Sequence, residues 1–257
     1  MIFKSILIFL LLLNFSFAKQ SNYQEIKDKP NPTIKMTLLK KFMINYKDKE
    51  RVRSLKKYIL SLKGKAVPAL IEVMKSSRYS DKNRWIATFM LGRIMGRKSS
   101  PFIAKFIDHP NWVLRMASLK ALLALKEMSF ESKYVQALND KSLLVRIQAI
   151  ENIRGLHLVK HAPSIWKMLY DKRNYYKEDK SKEGTHIIKN IITAIGDLKF
   201  KKAKKPLLSM SQKKKYKDVF NEIDYSLKKI TGKKSPQGDV GSKMRYWKRV
   251  NISELTI

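Results

Sequence analysis

The stretch Asp81-Lys82-Asn83-Arg84-Trp85-Ile86-Ala87 has two counterparts further along the chain. In the second, Asp108 is followed by Trp112-Val113-Leu114-Arg115-Met116-Ala117, and in the third, Asp140 is followed by Leu143-Leu144-Val145-Arg146-Ile147-Gln148-Ala149. The arginines recur at intervals of 31 residues, and a fixed period of this size is typical of stacked helical units. Because each unit buries its apolar face only against neighbours, the pattern predicts an α-solenoid with long surfaces for partners.

Apolar residues recur at three- and four-residue steps along most of the chain, whereas the alternation expected of strands is weak. Two N-terminal helices are predicted in 33–64, the second ended by Gly64, and Gly96 ends a later helix. The array proper is predicted in 65–232. Its five helix pairs are 66–74 with 85–94, 101–107 with 112–125, 130–138 with 143–153, 162–169 with 186–198, and 203–210 with 219–230.

The regular period breaks once, between the third and fourth pairs. The extra residues lie in 171–184, a charged stretch that contains tyrosines and is predicted to be a loop inserted between the two helices of the fourth pair. Insertions in repeat proteins tend to lie on a binding face. A tolerated surface loop without a role is the alternative, since lengthening a loop costs little free energy.

The 31-residue spacing, the acidic residue at the turn and the arginine early in the second helix resemble HEAT-like repeats of the bacterial type known from phycobilisome lyases. The resemblance covers 66–232 and implies an all-α fold of about five HEAT-like helix pairs. In such arrays the aspartate caps the second helix and the arginine bonds to a neighbouring turn, which agrees with the preference of helix N-termini for acidic side chains. The expected structural ladder is therefore Asp81, Arg84, Asp108, Arg115, Asp140 and Arg146.

The resemblance weakens towards the C-terminus. Lys189 and Glu222 stand where the fourth and fifth pairs would carry the arginine. The tail, 233–257, contains Tyr246 and Trp247 and is similar to the ends of such proteins, where an aromatic residue folds back onto the last pair. We therefore expect a basic C-terminal cap in which these rings pack against the core, because a terminal unit must cover the exposed end of an array.

Residues 1–18 have the pattern of a secretory signal peptide. Lys4 precedes an apolar run from Ile6 to Leu13, and Ser16 and Ala18 supply small residues for cleavage. Residues 19–32 are predicted to form a flexible leader, so the chain is expected to be periplasmic or secreted. Cysteine is absent, which excludes disulfides in an oxidising compartment.

The chain carries 55 basic and 21 acidic residues, a formal charge of +34, which predicts attraction to polyanions. The densest run, 199–217, has nine lysines: Lys199, Lys201, Lys202, Lys204, Lys205, Lys213, Lys214, Lys215 and Lys217. Because lysine dominates over arginine, specific nucleic-acid recognition is not expected. An anionic lipid surface, a cell-wall polymer or an acidic glycan remains a candidate ligand, and compositional bias of the source is an alternative origin of the charge.

No arrangement of residues predicts catalysis. The paired histidines His157 and His161 lack the glutamate of a zinc protease motif, and no glycine-rich phosphate loop is present. Bilin lyases and a group of DNA glycosylases use HEAT-like arrays, but neither activity suits an exported chain. The sequence therefore predicts a non-enzymatic protein without a metal or cofactor.

The leading hypothesis is an exported scaffold that binds a protein partner on the concave face of the array, formed by the second helices. The residues predicted to be exposed there are Arg93, Arg97, Lys120, Asn152, Arg154 and Asn190. The alternative is a polyanion binder that acts through the lysine-rich run.

Overall fold

The computed structural model describes residues 31–44, 46–175 and 183–253. Within these ranges the regular structure is entirely helical, so the all-α prediction is confirmed. None of the described helices has the length and apolar character needed to cross a membrane. The predicted signal peptide and nearly all of the predicted leader lie outside the described residues.

The chain divides into two compact units, Met1–Glu127 and Met128–Ile257, and the predicted array contributes helices to both. In unit 1, Pro68 lies at the start of α3, where its missing N–H costs nothing. The helices of unit 1 are α1 Pro32–Met43, α2 Lys49–Ser61, α3 Val67–Lys75, α4 Asp81–Met95, α5 Ser100–Ala104 and α6 Trp112–Ala124. Helix α4 packs on α3 of its own pair and on α6 of the next pair.

Unit 2 continues with helix pairs and ends in an additional helix. Its helices are α7 Glu131–Ala137, α8 Leu143–Gly155, α9 Ala162–Lys167, α10 Glu183–Asp197, α11 Lys204–Ser211, α12 Phe220–Thr231 and α13 Val240–Ser253. The longer second helices, α8, α10 and α12, pack successively on one another, and α13 packs on α11 and α12. Short 3-10 turns join the pairs.

Four of the described helices end with a residue in the left-handed backbone conformation that is not glycine. These residues are Lys63 after α2, Lys126 after α6, His157 after α8 and Lys199 after α10, with φ values of 50°, 52°, 54° and 49°. Gly64, predicted to end α2, instead lies one residue later in a 3-10 turn. The prediction failed because it assumed that the left-handed position needs glycine. A residue with a side chain can occupy that position at a free-energy cost of about 1–2 kcal/mol.

Hydrogen bonds stabilise these unusual helix ends. After α6, the N–H of Glu127 donates to the carbonyl of Leu122 at 3.0 Å, and after α8, the N–H of Leu158 donates to Ile153 at 2.9 Å. This six-residue closure is the Schellman arrangement, which satisfies carbonyls that a helix end leaves free. The hydrogen bonds and the surrounding packing therefore hold the left-handed residue in place.

Helices α10 and α12 approach each other closely at Gly196. A Cβ atom at this position would lie 2.7 Å from the Cα of Ser226 and 2.5 Å from its Oγ. The Ser226 hydroxyl donates to the carbonyl of Ile192 at 2.7 Å and is fully buried. A larger side chain at Gly196 would thus push against backbone that has little freedom to move.

We expect Gly196→Ala to lower the free energy of unfolding by about 1–3 kcal/mol, because overpacking at a backbone contact forces two helices apart. Gly92→Ala in α4 is the matched control, since its Cβ would meet side-chain carbons at 3.6 Å and 3.7 Å, an ordinary contact distance. Chemical denaturation of both variants measures the difference. Equal stability of the two variants would contradict the close approach at Gly196.

Candidate functional site

The arginine of the first repeat joins two helix pairs. Arg84 is 4% exposed, and its Nε and Nη2 donate to the Met74 carbonyl, at the end of α3, at 3.1 Å and 3.0 Å. Its Nη2 also lies 3.2 Å from Nε2 of His109, in the turn before α6. Burial lowers the pKa of Arg84, and nearby Asp81 opposes this effect. The guanidinium therefore closes one pair and reaches the next.

The other two arginines are equally buried but have different partners. Arg115 donates from Nη1 to the carbonyls of His109 and Pro110, in its own turn, at 2.9 Å and 2.8 Å. Arg146 donates from Nη1 to the Asp140 carbonyl at 2.8 Å and from Nε to Oδ1 of Asn174 at 2.9 Å. Arg146 thereby ties its turn to the beginning of the inserted segment.

The aspartates of the ladder do not serve as the residues that cap the second helices. Ser80 and Asn111 cap α4 and α6, and their side chains accept from Asn83 N–H and Val113 N–H. Asp81 instead accepts from Nδ2 of Asn111 at 2.8 Å, and so links two successive repeats. Asp140 accepts from the N–H of Ser142 at 2.7 Å, before α8 begins. Asp108 is exposed, at the end of a 3-10 turn. At α4 and α6 the capping role passes to the residue immediately before the helix, because that position brings a side-chain oxygen to the free N–H groups. Ser142, immediately before α8, makes no such bond.

Lys189 and Glu222, which take the arginine's place in the last two pairs, lie opposite each other. Nζ of Lys189 is 3.6 Å from Oε1 of Glu222, which joins α10 to α12. An ion pair between consecutive repeats thus replaces the arginine bonds in this part of unit 2.

The predicted partner-face residues of unit 1 are accessible, but one of them has a structural role. Arg93 is exposed and Lys120 is half-buried. Arg97 is exposed, yet its Nε and Nη2 donate to the carbonyls of Leu125 and Lys126 at 3.2 Å and 2.8 Å. Arg97 therefore satisfies the end of α6.

In unit 2 the prediction of exposure is wrong for Asn152, which is fully buried and accepts from Nε2 of Gln148 at 3.0 Å. Its polar side chain turns inward because this hydrogen bond satisfies it within the helix layer. Arg154 forms ion pairs with Glu151 at 2.6 Å and with Asp197 at 3.3 Å. Asn190 is half-buried and donates to the His186 carbonyl at 3.0 Å.

The lysine-rich run forms two clusters rather than one continuous surface. The first, Lys199, Lys201, Lys202, Lys204 and Lys205, lies before α11 and in its first turn; the second, Lys213, Lys214, Lys215 and Lys217, lies beyond its last turn. All are exposed except Lys204, which is half-buried. Because α11 has eight residues, it separates the clusters by about 12 Å.

The predicted aromatic cap centres on Trp247. This side chain is fully buried, and its Nε1 donates to Oδ1 of Asp224 at 2.8 Å. The Ser235 hydroxyl donates to the same oxygen at 2.6 Å, and Nζ of Lys228 lies 2.7 Å from Oδ2. Asp224 is 3% exposed. Burial raises the pKa of Asp224, but these three donors outweigh burial, and the pKa lies below its ordinary value.

Unit 2 contains a groove of about 680 Å³ that the sequence analysis did not predict. We call it the tyrosine groove. It opens between α9 with the turn after it and α11 with the turn after it, and Ile188 of α10 contributes to its lining. Its aromatic side chains are Trp166, Tyr170, Tyr175 and Tyr216, and its other lining residues are Leu169, Ile188, Pro206, Ser209, Met210, Lys213, Lys215, Asp218 and Val219.

The groove lies among first helices, whereas the predicted partner face is formed by second helices. Two features noted in the sequence nevertheless contribute to it: Tyr175 of the inserted stretch and Tyr216 within the lysine-rich run. Their separation in the sequence concealed that the fold brings them together. Residues 176–182 of the predicted insertion lie outside the described residues.

Burial raises the pKa of Tyr175, and the nearby hydroxyls of Tyr216 and Tyr170 act in the same direction. The Tyr175 phenol therefore stays neutral at physiological pH and can donate a hydrogen bond. Tyr175 already donates to the Leu169 carbonyl at 2.8 Å.

The described part of the chain has no group of three acidic or histidine side chains that could hold a metal ion. Of the two histidines considered as zinc ligands, His157 is exposed at the end of α8 and His161 lies 3.1 Å from Glu131. These two side chains therefore have separate surroundings.

No protein-family model matches the chain, and no curated protein matches it. Among solved structures, it is similar to the complex of CpcE and CpcF of phycocyanin lyase from Nostoc sp. PCC7120. The identity is 13%, the TM-score is 0.44, and the match covers 91% of this chain and 100% of the other. A likeness at this level concerns the helical fold, and a shared fold does not transfer a function.

The match corrects the prediction that the chain is not an enzyme. That prediction treated a HEAT-like array without recognisable catalytic motifs as non-catalytic, and the matched array belongs to a phycocyanin lyase.

We expect Asp224→Asn to lower the free energy of unfolding by about 1.5–3 kcal/mol at pH 7, since hydrogen bonds to a buried charge are strong. The folded pKa of Asp224 is depressed, so its stabilisation is present above the unfolded value, about 3.9, and is lost as the pH falls below it. The free energies of unfolding of the wild type and of Asp224→Asn should therefore become more similar below about pH 4. Denaturation at several pH values measures these free energies, with the exposed Asp218→Asn as the control.

Proposed function

We propose that the chain is an exported helical-repeat protein that binds a protein partner through the tyrosine groove. The supporting observation is the exposure of large aromatic side chains at its edge: Tyr170 is 74% exposed and Tyr175 is 49% exposed. Tyrosine is enriched among the residues that dominate interface energies, because a rigid ring buries much area at low entropic cost. Covering these rings would therefore favour association.

Export is supported by the sequence of residues 1–18, with its basic start, apolar run and small residues at the cleavage position. A partner would then belong to the cell envelope or to the medium. The high positive charge, +34, would speed encounter with an acidic partner at low ionic strength.

Site-specific photocrosslinking tests this function. A benzophenone amino acid replaces Tyr170 in one preparation, Lys201 in a second and Arg93 in a third, and each full-length protein is illuminated with the envelope fraction of its source at low and high salt. We expect position 170 to capture one defined protein at both salt concentrations. If position 170 captures no protein, the proposed function is wrong, whatever the two positions outside the groove capture.

The exposure of both lysine clusters supports a second candidate function, binding of an anionic polymer such as an acidic glycan. Such binding depends on release of counterions, so affinity should fall steeply as salt rises. For Lys201→Ser with Lys202→Ser, the slope of log affinity for heparin against log salt should decrease in magnitude by about 2 if both lysines contact the polymer. An affinity for heparin that does not change with salt would exclude this candidate.

A further inference from the structure

We propose that the tyrosine groove takes an acidic peptide segment of the partner, anchored by an aromatic or large aliphatic side chain. This inference rests on the proposed protein-binding function and specifies the chemistry of the partner. It combines three properties of the groove: an aliphatic floor, a fixed aromatic rim and an excess of positive charge.

The floor of the groove is aliphatic. Leu169, Ile188 and Val219 are 9%, 4% and 4% exposed and line it together with Pro206 and Met210. Such a surface favours an apolar side chain, which gains about 25 cal/mol for each Å² removed from water. A glycan or phosphate polymer offers hydroxyl and anionic groups instead, which would lose hydration against these carbons. The floor therefore favours a peptide.

The aromatic rim is held in place before a partner binds. The turn that precedes Tyr175 is fixed by Asn174, which is 1% exposed and donates to the Met168 carbonyl at 2.8 Å. Asp171 and Arg173 pair at 2.6 Å in the same turn, and Nζ of Lys215 lies 4.9 Å from the centre of the Tyr216 ring. Because these contacts limit motion of the rim, binding loses less conformational entropy there.

The charge of the groove selects for carboxylates. Lys213 and Lys215 line it, and Asp218 is the one acidic residue among the described residues that line it. Lys214 and Lys217, on the same turn, are also exposed. Since lysines at a rim raise the association rate and favour a partner of opposite charge, acidic residues should flank the apolar anchor.

The test measures fluorescence anisotropy of a labelled peptide of about twelve residues with the full-length protein at low salt. The peptide has glutamates on both sides of a central Phe-Leu; one comparison peptide has glutamine for glutamate, and the other has Ser-Ser for Phe-Leu. We expect both comparison peptides to bind at least about tenfold more weakly, since each loses one of the two interactions. Equal binding of all three peptides would overturn the proposal.

Protein variants locate the binding to the groove. Tyr170→Ala and the pair Lys213→Glu with Lys215→Glu should each weaken peptide binding by about tenfold. Lys201→Glu with Lys202→Glu is the matched control, because it changes the same charge at the other end of α11, and it should weaken binding less than about threefold. Circular dichroism verifies that each variant is folded. An equal loss in the control pair would show that net charge, rather than the groove, binds the peptide, and would overturn the proposal.

Two further outcomes separate this inference from the proposed function. If a heparin fragment displaces the peptide, and if Tyr170→Ala weakens the binding of heparin, the groove takes an acidic glycan and the peptide proposal fails. If position 170 captures a protein but the captured segment lacks acidic residues, the inference fails and the protein-binding function stands. If only positions outside the groove capture a protein, both fail. An acidic captured segment at position 170 supports both.

Discussion

The structure depends on burying a permanently charged guanidinium at the junction of helix pairs. A buried charge without partners is very unfavourable, so each arginine requires carbonyl oxygens at a fixed place. Arg84 finds its acceptor at the end of α3, and Arg115 and Arg146 find theirs in the turns that precede their own helices. In the second and third repeats the accepting carbonyls lie five and six residues before the arginine, so the bonds hold each turn against its own helix. The three arginines recur every 31 residues, so a buried guanidinium occurs at the same position in three successive helix pairs.

In the last two helix pairs, other interactions hold neighbouring helices in a fixed position without the arginine. Lys189 and Glu222 pair across α10 and α12, Gly196 lets the two backbones approach, and Trp247 covers the end while its ring nitrogen bonds to Asp224. These interactions are more specific to their positions than a repeated arginine, because each needs one particular pair of residues. The change in mechanism explains why the repeat pattern fades in the sequence while the helix pairs continue in the structure.

Fold and candidate site differ in how far the sequence could predict them. Helical periodicity and the repeated arginines were sufficient for the all-α array and for the helices on both sides of each turn, because these depend on local spacing. The burial of Asn152 and the cap formed by Arg97 depend on contacts with other residues and could not be read from helical position alone. The tyrosine groove was missed for the same reason, since Tyr170 and Tyr216 come together only when consecutive pairs stack.

The left-handed residues at the ends of α2, α6, α8 and α10 have a consequence for how the protein can change. Lys63, Lys126, His157 and Lys199 each hold backbone strain that a glycine would relieve, although glycine also gives the unfolded chain more freedom. Each position thus offers a separate, single-residue adjustment of stability that leaves neighbouring helix pairs untouched. During evolution, a destabilising substitution in one repeat could be offset by a change to glycine in the same repeat. Binding surfaces elsewhere in the chain would then remain free to diverge.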